Sequence, residues 1–169
     1  MKLAWRCVVV ALDIQGAYDT IDHTAALWKL RQLDLPRYLV AWIRAFLQGR
    51  SVSLAVNELS APFEIRTGVP QGSPLSPILF LVYIDDLLRQ LAVVCHVQAF
   101  ADDILIWDLI SSRSARPPSL CHALQVVDRW SAEWGLTFSP AKSQTIDISA
   151  RRDLPPLELT LNGIRVSQV

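Results

Sequence analysis

The sequence predicts a mixed α+β domain in which an antiparallel sheet carries helices packed on one face. Three observations support this. Apolar residues make up 51% of the 169 residues and charged residues 19%, enough to build a core within one domain's length. Short β-branched runs and segments of helical period follow one another in the order β-α-α-β-β-α-β-β-α-β-β. Gly, Pro, Asn and Asp punctuate the joins.

Taken in order, Cys7 to Ile14 (CVVVALDI) reads as a strand buried on both faces. Asp22-His23-Thr24 can cap a helix through AALWKLRQL. Pro36 stands near the start of a second helix, with Leu39, Trp42, Ile43, Phe46 and Leu47 at helical spacing and Gly49 as its stop. Ser51 to Val56 alternates as a strand, Asn57 to Ala61 turns the chain, and Pro62 to Arg66 returns as a second strand. After the Gly-, Pro- and Ser-dense TGVPQGSPLSP, an apolar helix is expected from Ile78 to Leu91. His96 to Trp107 reads as two strands interrupted at Ala101-Asp102-Asp103. Ser111 to Ser119 links to a helix ending near Trp134, with Gly135 as its stop. Ser143 to Ser149 is a strand, and Leu157 to Val166 forms a hairpin turning on Asn162-Gly163.

Composition narrows the function classes. Sixteen basic residues balance sixteen acidic ones, whereas a free-standing nucleic-acid binder usually carries a basic excess. Cys7, Cys95 and Cys121 form neither a metal-ligand nor a disulfide pattern, so the chain reads as a reduced, intracellular protein. Asp13 closes the N-terminal apolar run before any cleavage-site pattern. The longest apolar stretch, Leu75 to Ile84, is about half the ~20 residues that span a bilayer, so no membrane association is expected.

The chemistry-bearing residues are acidic. Asp102 and Asp103 sit between Phe100 and the apolar run ILIW, where charge is costly, and adjacent carboxylates in a tight hairpin favour a divalent cation. Alone, such a pair is more often a solvated turn. Asp13 ends a second apolar strand. If the two strands are neighbours, three carboxylates converge at one sheet edge, an arrangement suited to two Mg²⁺ ions in phosphoryl transfer. The loop Thr67 to Pro74 adds glycines that permit close approach to a ligand and precedes a helix N-terminus that favours an anion.

In this order the segments resemble the palm of reverse transcriptases (RNA-dependent DNA polymerases), specifically the non-LTR retrotransposon, LINE-like group. LDIQGAYDTIDH, within residues 7–22 and just beyond, resembles motif A; GVPQGSPLSPILF, within 67–80, motif B; FADDILIW, within 98–107, motif C; and WGLTFSPAKSQ, within 130–148, motif D. Residues 150–169 resemble the start of the segment leading to the primer grip. Group II intron reverse transcriptases share this layout and are the nearest competitor.

The resemblance implies a role for each matching residue. Asp13, Asp102 and Asp103 match the metal-binding carboxylates, with the Ile14 carbonyl as a further ligand, for two Mg²⁺ ions or Mn²⁺ in their place. Tyr18 matches the aromatic gate against a ribose 2′-OH, and Gln71 and Gly72 the loop lining the incoming nucleotide and template. Phe100 and Ala101 match the floor under the primer end, and Lys142 the lysine near the leaving pyrophosphate. The reaction implied is two-metal transfer of a nucleotide from a dNTP to a primer 3′-OH, with an RNA template and a DNA primer as partners and the nucleus as a plausible location. Residues 29 to 66 hold six cations (Lys29, Arg31, Arg37, Arg44, Arg50, Arg66) against Asp34, Glu58 and Glu64. That excess fits either a template backbone or a solvated helix face.

Fingers before motif A and a thumb after motif D are not evident in the sequence. It is therefore expected to be a partial palm, with little or no activity alone and with apolar surface exposed where those parts would dock. Two other readings remain open: a non-catalytic relic or domesticated palm acting as a binding module, and an unrelated two-metal nuclease. The nuclease ranks last, since His23, His96 and His122 form no ligand-spaced cluster.

Overall fold

A computed structural model describes residues 6–56, 59–110, 114–149 and 154–169. The chain divides into two compact units, one of Met1–Gln15 with Ile84–Val169, the other of Gly16–Tyr83.

The first unit is built on a five-stranded sheet. Strand β1 (Arg6–Leu12) runs down its middle, antiparallel to β5 (Asp103–Ile110) on one side and β6 (Gln144–Ser149) on the other. Strand β4 (His96–Phe100) pairs with β5 at one edge, and the short β9 (Ser167–Gln168) joins β6 at the other, in the order β4-β5-β1-β6-β9. The last pairing is parallel, so the expected antiparallel sheet is mixed at this edge. Val8, Val10, Leu12, Ile104 and Ile106 line its buried face, and helix α4 (Pro118–Trp134) packs against β5 through its own buried stripe. Gly135, at φ +75°, ends that helix as expected.

The other sheet face is half-covered. Cys7, Val9 and Ala11 are only half-buried, and Leu109 and Ile148 beside Cys7 are 54% and 61% exposed. Strand β1 is therefore not buried on both faces. Its unbroken apolar run mimics a fully enclosed strand, whereas among the described elements of this unit a helix packs on one side. Beyond the sheet, β7 (Thr160–Leu161) and β8 (Ile164–Arg165) form the anticipated hairpin, with Asn162 and Gly163 both at positive φ, as a type I′ turn requires. The linker expected from Ser111 falls partly on residues 111–113, outside the described residues.

In the second unit, helix α1 (His23–Arg31) starts where the sequence places it. The Asp22 carboxylate accepts a hydrogen bond from Ala25 N at 2.7 Å. Helix α2 (Arg37–Leu47) opens after Pro36 and packs on α1. Its buried stripe is Val40, Ile43 and Leu47, while Trp42 is 57% exposed. Of the expected stripe, Ile43 and Leu47 are buried and Leu39 and Phe46 half-buried, with Val40 taking the place of Trp42.

Strands β2 (Ser51–Val56) and β3 (Leu59–Glu64) pair with Ser53 opposite Pro62, so β3 begins earlier than expected. In a two-stranded hairpin both strands are edges, which accommodates a proline. Residues 57 and 58, the first two of the expected turn, lie outside the described residues. Helix α3 (Leu75–Val94), shared by the two units, exceeds the expected Ile78 to Leu91 at both ends. Pro77 sits in its first turn, where an N–H would lack a helical partner in any case. Among the described residues, no helix is long and apolar enough to cross a membrane.

Candidate active site

The first unit carries the acidic cluster. Leu12 pairs with Ile104, so the next step of the β1–β5 register sets Asp13 across from Asp103. On the other flank, Ala11 pairs with Gln144, and Lys142 follows two residues before it in the chain. Its Nζ lies 3.9 Å from Asp13 Oδ2. The Asp13 backbone is clamped: its N–H donates to Ser143 Oγ at 3.1 Å, and its carbonyl accepts from Ser139 N at 2.8 Å. Asp13 Oδ2 is buried and has no hydrogen-bond partner among the described residues. The Asp13 side chain as a whole is 37% exposed and ion-paired with Lys142, so the carboxylate stays within reach of solvent and of a cation.

Ile14 bridges to Phe138, but the two bonds of that bridge use Gln15 N and the Asp13 carbonyl, leaving the Ile14 carbonyl out of it. Phe100 pairs with Asp103, so the β4–β5 turn is the dipeptide Ala101-Asp102, one residue tighter than expected. Ala101 takes φ +52°, a strained conformation for a residue with a Cβ, and Phe100 is 81% exposed beside it. Strain at an exposed acidic turn is typical of functional sites. Among the described residues, no three His, Cys, Asp or Glu side chains cluster as ligands to one ion. The expected three-carboxylate convergence is thus reduced to Asp13 and Asp103 aligned by register, with Asp102 in the adjoining turn. Mg²⁺ commonly takes only one or two carboxylates, the remainder coming from water and substrate phosphates, so the donor set fits.

Within the second unit, Tyr18, Gln71 and Gly72 come together. With Ser73, Pro74 and Ser76 they line a cleft of about 430 Å³. The Tyr18 ring is held 5.3 Å from Phe80, and Gln71 Nε2 donates to Asp19 Oδ1 at 3.2 Å. The loop bearing Gln71 is bound to the motif A segment by its backbone. Val69 N donates to the Tyr18 carbonyl at 2.7 Å and Gly68 N to the Ile21 carbonyl at 2.8 Å. The Gly68 carbonyl accepts from Nε2 of buried His23 at 2.7 Å, which accounts for that histidine structurally. A Cβ on Gly68 would lie 2.8 Å from the Asp19 carbonyl oxygen, and φ there is +81°. Gly68→Ala is therefore expected to destabilise the protein by about 2–4 kcal/mol, from the left-handed backbone and the clash together. Urea denaturation measures this.

Comparison with known proteins completes the description. A profile of the family "Reverse transcriptase (RNA-dependent DNA polymerase)" matches residues 1–154. The chain belongs to the reverse transcriptase family. It is 30% identical over 132 residues to a putative 115 kDa protein in the type-1 retrotransposable element R1DM of Drosophila melanogaster, covering 78% of this chain and 13% of that protein. It is 29% identical over 164 residues to the RNA-directed DNA polymerase from mobile element jockey of Drosophila funebris, covering 92% of this chain and 18% of that protein. The chain thus spans less than a fifth of these relatives. Telomerase from Candida tropicalis, in complex with a fragment of telomeric RNA, superposes on 98% of this chain and 29% of its own with a TM-score of 0.65 at 14% identity. The expected polymerase-palm fold and the resemblance to non-LTR retrotransposon polymerases both hold.

Sequence reasoning missed the residues that hold the reverse transcriptase motifs in place. Ser143 and Ser139 fix the Asp13 backbone, and no periodicity reveals such pairings. Lys29, counted among the surface cations, is buried, with Nζ donating to the Tyr83 carbonyl at 2.6 Å and lying 4.9 Å from the Tyr83 ring centroid. Burial, reinforced by the Asp108 carboxylate, pushes the Cys95 thiol up to about 11 and so disfavours its thiolate.

Proposed function

We propose that this chain is the catalytic palm of a retrotransposon RNA-directed DNA polymerase, extending a DNA primer on an RNA template with deoxynucleoside triphosphates. The observation that carries this reading is the Asp13 carboxylate. It is clamped by its backbone at the end of the central strand, with a buried oxygen that lacks a hydrogen-bond partner among the described residues. Asp13, Asp102, Asp103 and the Ile14 carbonyl would hold two Mg²⁺ ions. When bound, such ions lower the pKa of the primer 3′-OH and stabilise charge on the departing pyrophosphate.

The protein's own groups position the reactants. A bond forms from the primer 3′-oxygen to the α-phosphorus as the bond to pyrophosphate breaks. Lys142, exposed beside Asp13, would offset charge on that leaving group. Phe100 offers an apolar face to the last primer nucleotide. Tyr18, braced by Phe80, would wall off a 2′-OH, while Gln71 and Gly72 line the space for the nucleotide. Nuclear action, implied by the family resemblance, belongs to the same reading.

Primer extension on an RNA template with Mg²⁺ and dNTPs tests it. Slow extension is expected, abolished by EDTA and not supported by ribonucleotides. No extension by a folded chain would leave a non-catalytic palm.

A further inference from the structure

A second candidate surface lies in the Gly16–Tyr83 unit, around the α1–α2 turn. Arg31 from α1, and Arg37 and Arg44 from α2, line a cleft of about 480 Å³ floored by Val40. Arg37 and Arg44 are seven residues apart, two helical turns, and so share one face. All three arginines are exposed, and none has an ion-pair or side-chain hydrogen-bond partner among the described residues. Asp34 also lines the cleft, on a turn at φ +50°, and leaves a surplus of positive charge. By contrast, Lys29 is buried against Tyr83 and Arg66 is paired with Glu64 at 2.9 Å. The basic excess of this segment is therefore concentrated at the cleft.

Further round α2, about 100° to 160° from the arginine row, stand Tyr38 and Trp42, 76% and 57% exposed, with Trp42 stacked on Phe46 at 6.0 Å. A solvated helix face has no use for two large exposed aromatic rings. Guanidinium groups for phosphates beside rings for bases are the chemistry of single-stranded nucleic acid binding. We infer that the α1–α2 surface binds a single strand of nucleic acid, with Arg31, Arg37 and Arg44 on the backbone and Tyr38 and Trp42 stacked on bases. This extends the proposed function, on which the class of ligand rests, to a surface with no part in metal binding or nucleotide selection.

The test is fluorescence anisotropy with labelled 12-nucleotide single-stranded RNA and its DNA counterpart, in EDTA, across a salt series. EDTA removes the metal-dependent reaction, so a negative result here is distinguishable from failure of primer extension. Arg37→Ala/Arg44→Ala is expected to weaken binding about tenfold and to lower the salt slope by about 1.4, given about 0.7 per single-strand phosphate contact. Arg37→Lys/Arg44→Lys should retain most of the slope. Tyr38→Ala/Trp42→Ala should weaken binding about tenfold with the slope unchanged, since stacking carries no charge. All positions are exposed, and circular dichroism checks folding. Parallel losses with RNA and DNA assign the site to single strands generally, and a loss confined to RNA assigns it to RNA. Unchanged affinity and slope in the arginine variant, or no binding by the wild type, would overturn the inference and leave a protein partner as the occupant of this face.

Discussion

Asp13→Asn is expected to abolish Mg²⁺-induced stabilisation and to slow primer extension by at least about a thousandfold, while leaving the fold intact. The substitution preserves shape. The backbone clamps to Ser143 and Ser139 do not involve the side chain, and the strand before it is unaffected. What is lost is a carboxylate whose Oδ2 is buried without a hydrogen-bond partner among the described residues and lies 3.9 Å from an exposed ammonium. The carboxylate is 37% exposed and its ion pair with Lys142 is solvated, so in EDTA the Asn protein should differ little in stability from the wild type. At Mg²⁺ ten times its dissociation constant, the wild type should gain about 1.4 kcal/mol, or about 4 °C in Tm, and the variant nothing. The activity loss reflects several kcal/mol of transition-state charge stabilisation. Differential scanning fluorimetry reads the first effect without requiring turnover. A purely structural aspartate would give the opposite pattern: a drop in Tm in EDTA and an unchanged response to Mg²⁺.

The acidic residues stood out in the sequence as candidates because their placement strains a physical rule. Carboxylates at the ends of β-branched runs oppose burial, and Asp13, Asp102 and Asp103 stand out for that reason. Caps and turns were equally legible, since Asp22, Gly135 and Asn162-Gly163 each act through local backbone geometry. What failed depended on distant partners. Lys29 looks solvated until the Tyr83 carbonyl, 54 residues away, is brought to it. Trp42 fits a helical stripe, but α2 rotates to bury Val40 instead, and periodicity alone does not resolve that phase. The half-covered face of β1 illustrates the same limit: an apolar run states a preference for burial without naming what lies against it.

The least legible feature is also among the most consequential for stability. Arg6 opens β1 on its buried face and is 2% exposed. Its Nε and one terminal nitrogen donate to Asp147 Oδ2 at 2.9 and 2.6 Å, and the guanidinium also donates to the Ser114 and Pro155 carbonyls at 3.2 and 3.0 Å. One side chain thus ties the central strand to β6, to the segment before α4 and to the segment before β7. Asp147→Ala would leave a buried guanidinium with only neutral acceptors, and a loss of about 3–5 kcal/mol is expected. That is a large part of the 5–15 kcal/mol typical of a domain. Arg6→Met should cost less, because the Asp147 side chain, 14% exposed, retains some access to water. The double variant Arg6→Met/Asp147→Leu removes both charges together and should recover much of the single-variant loss, since buried ion pairs often contribute little beyond an apolar replacement. A double-mutant cycle by urea denaturation measures the coupling. Additive losses would mean that the carbonyl contacts, not the carboxylate, hold Arg6 in place.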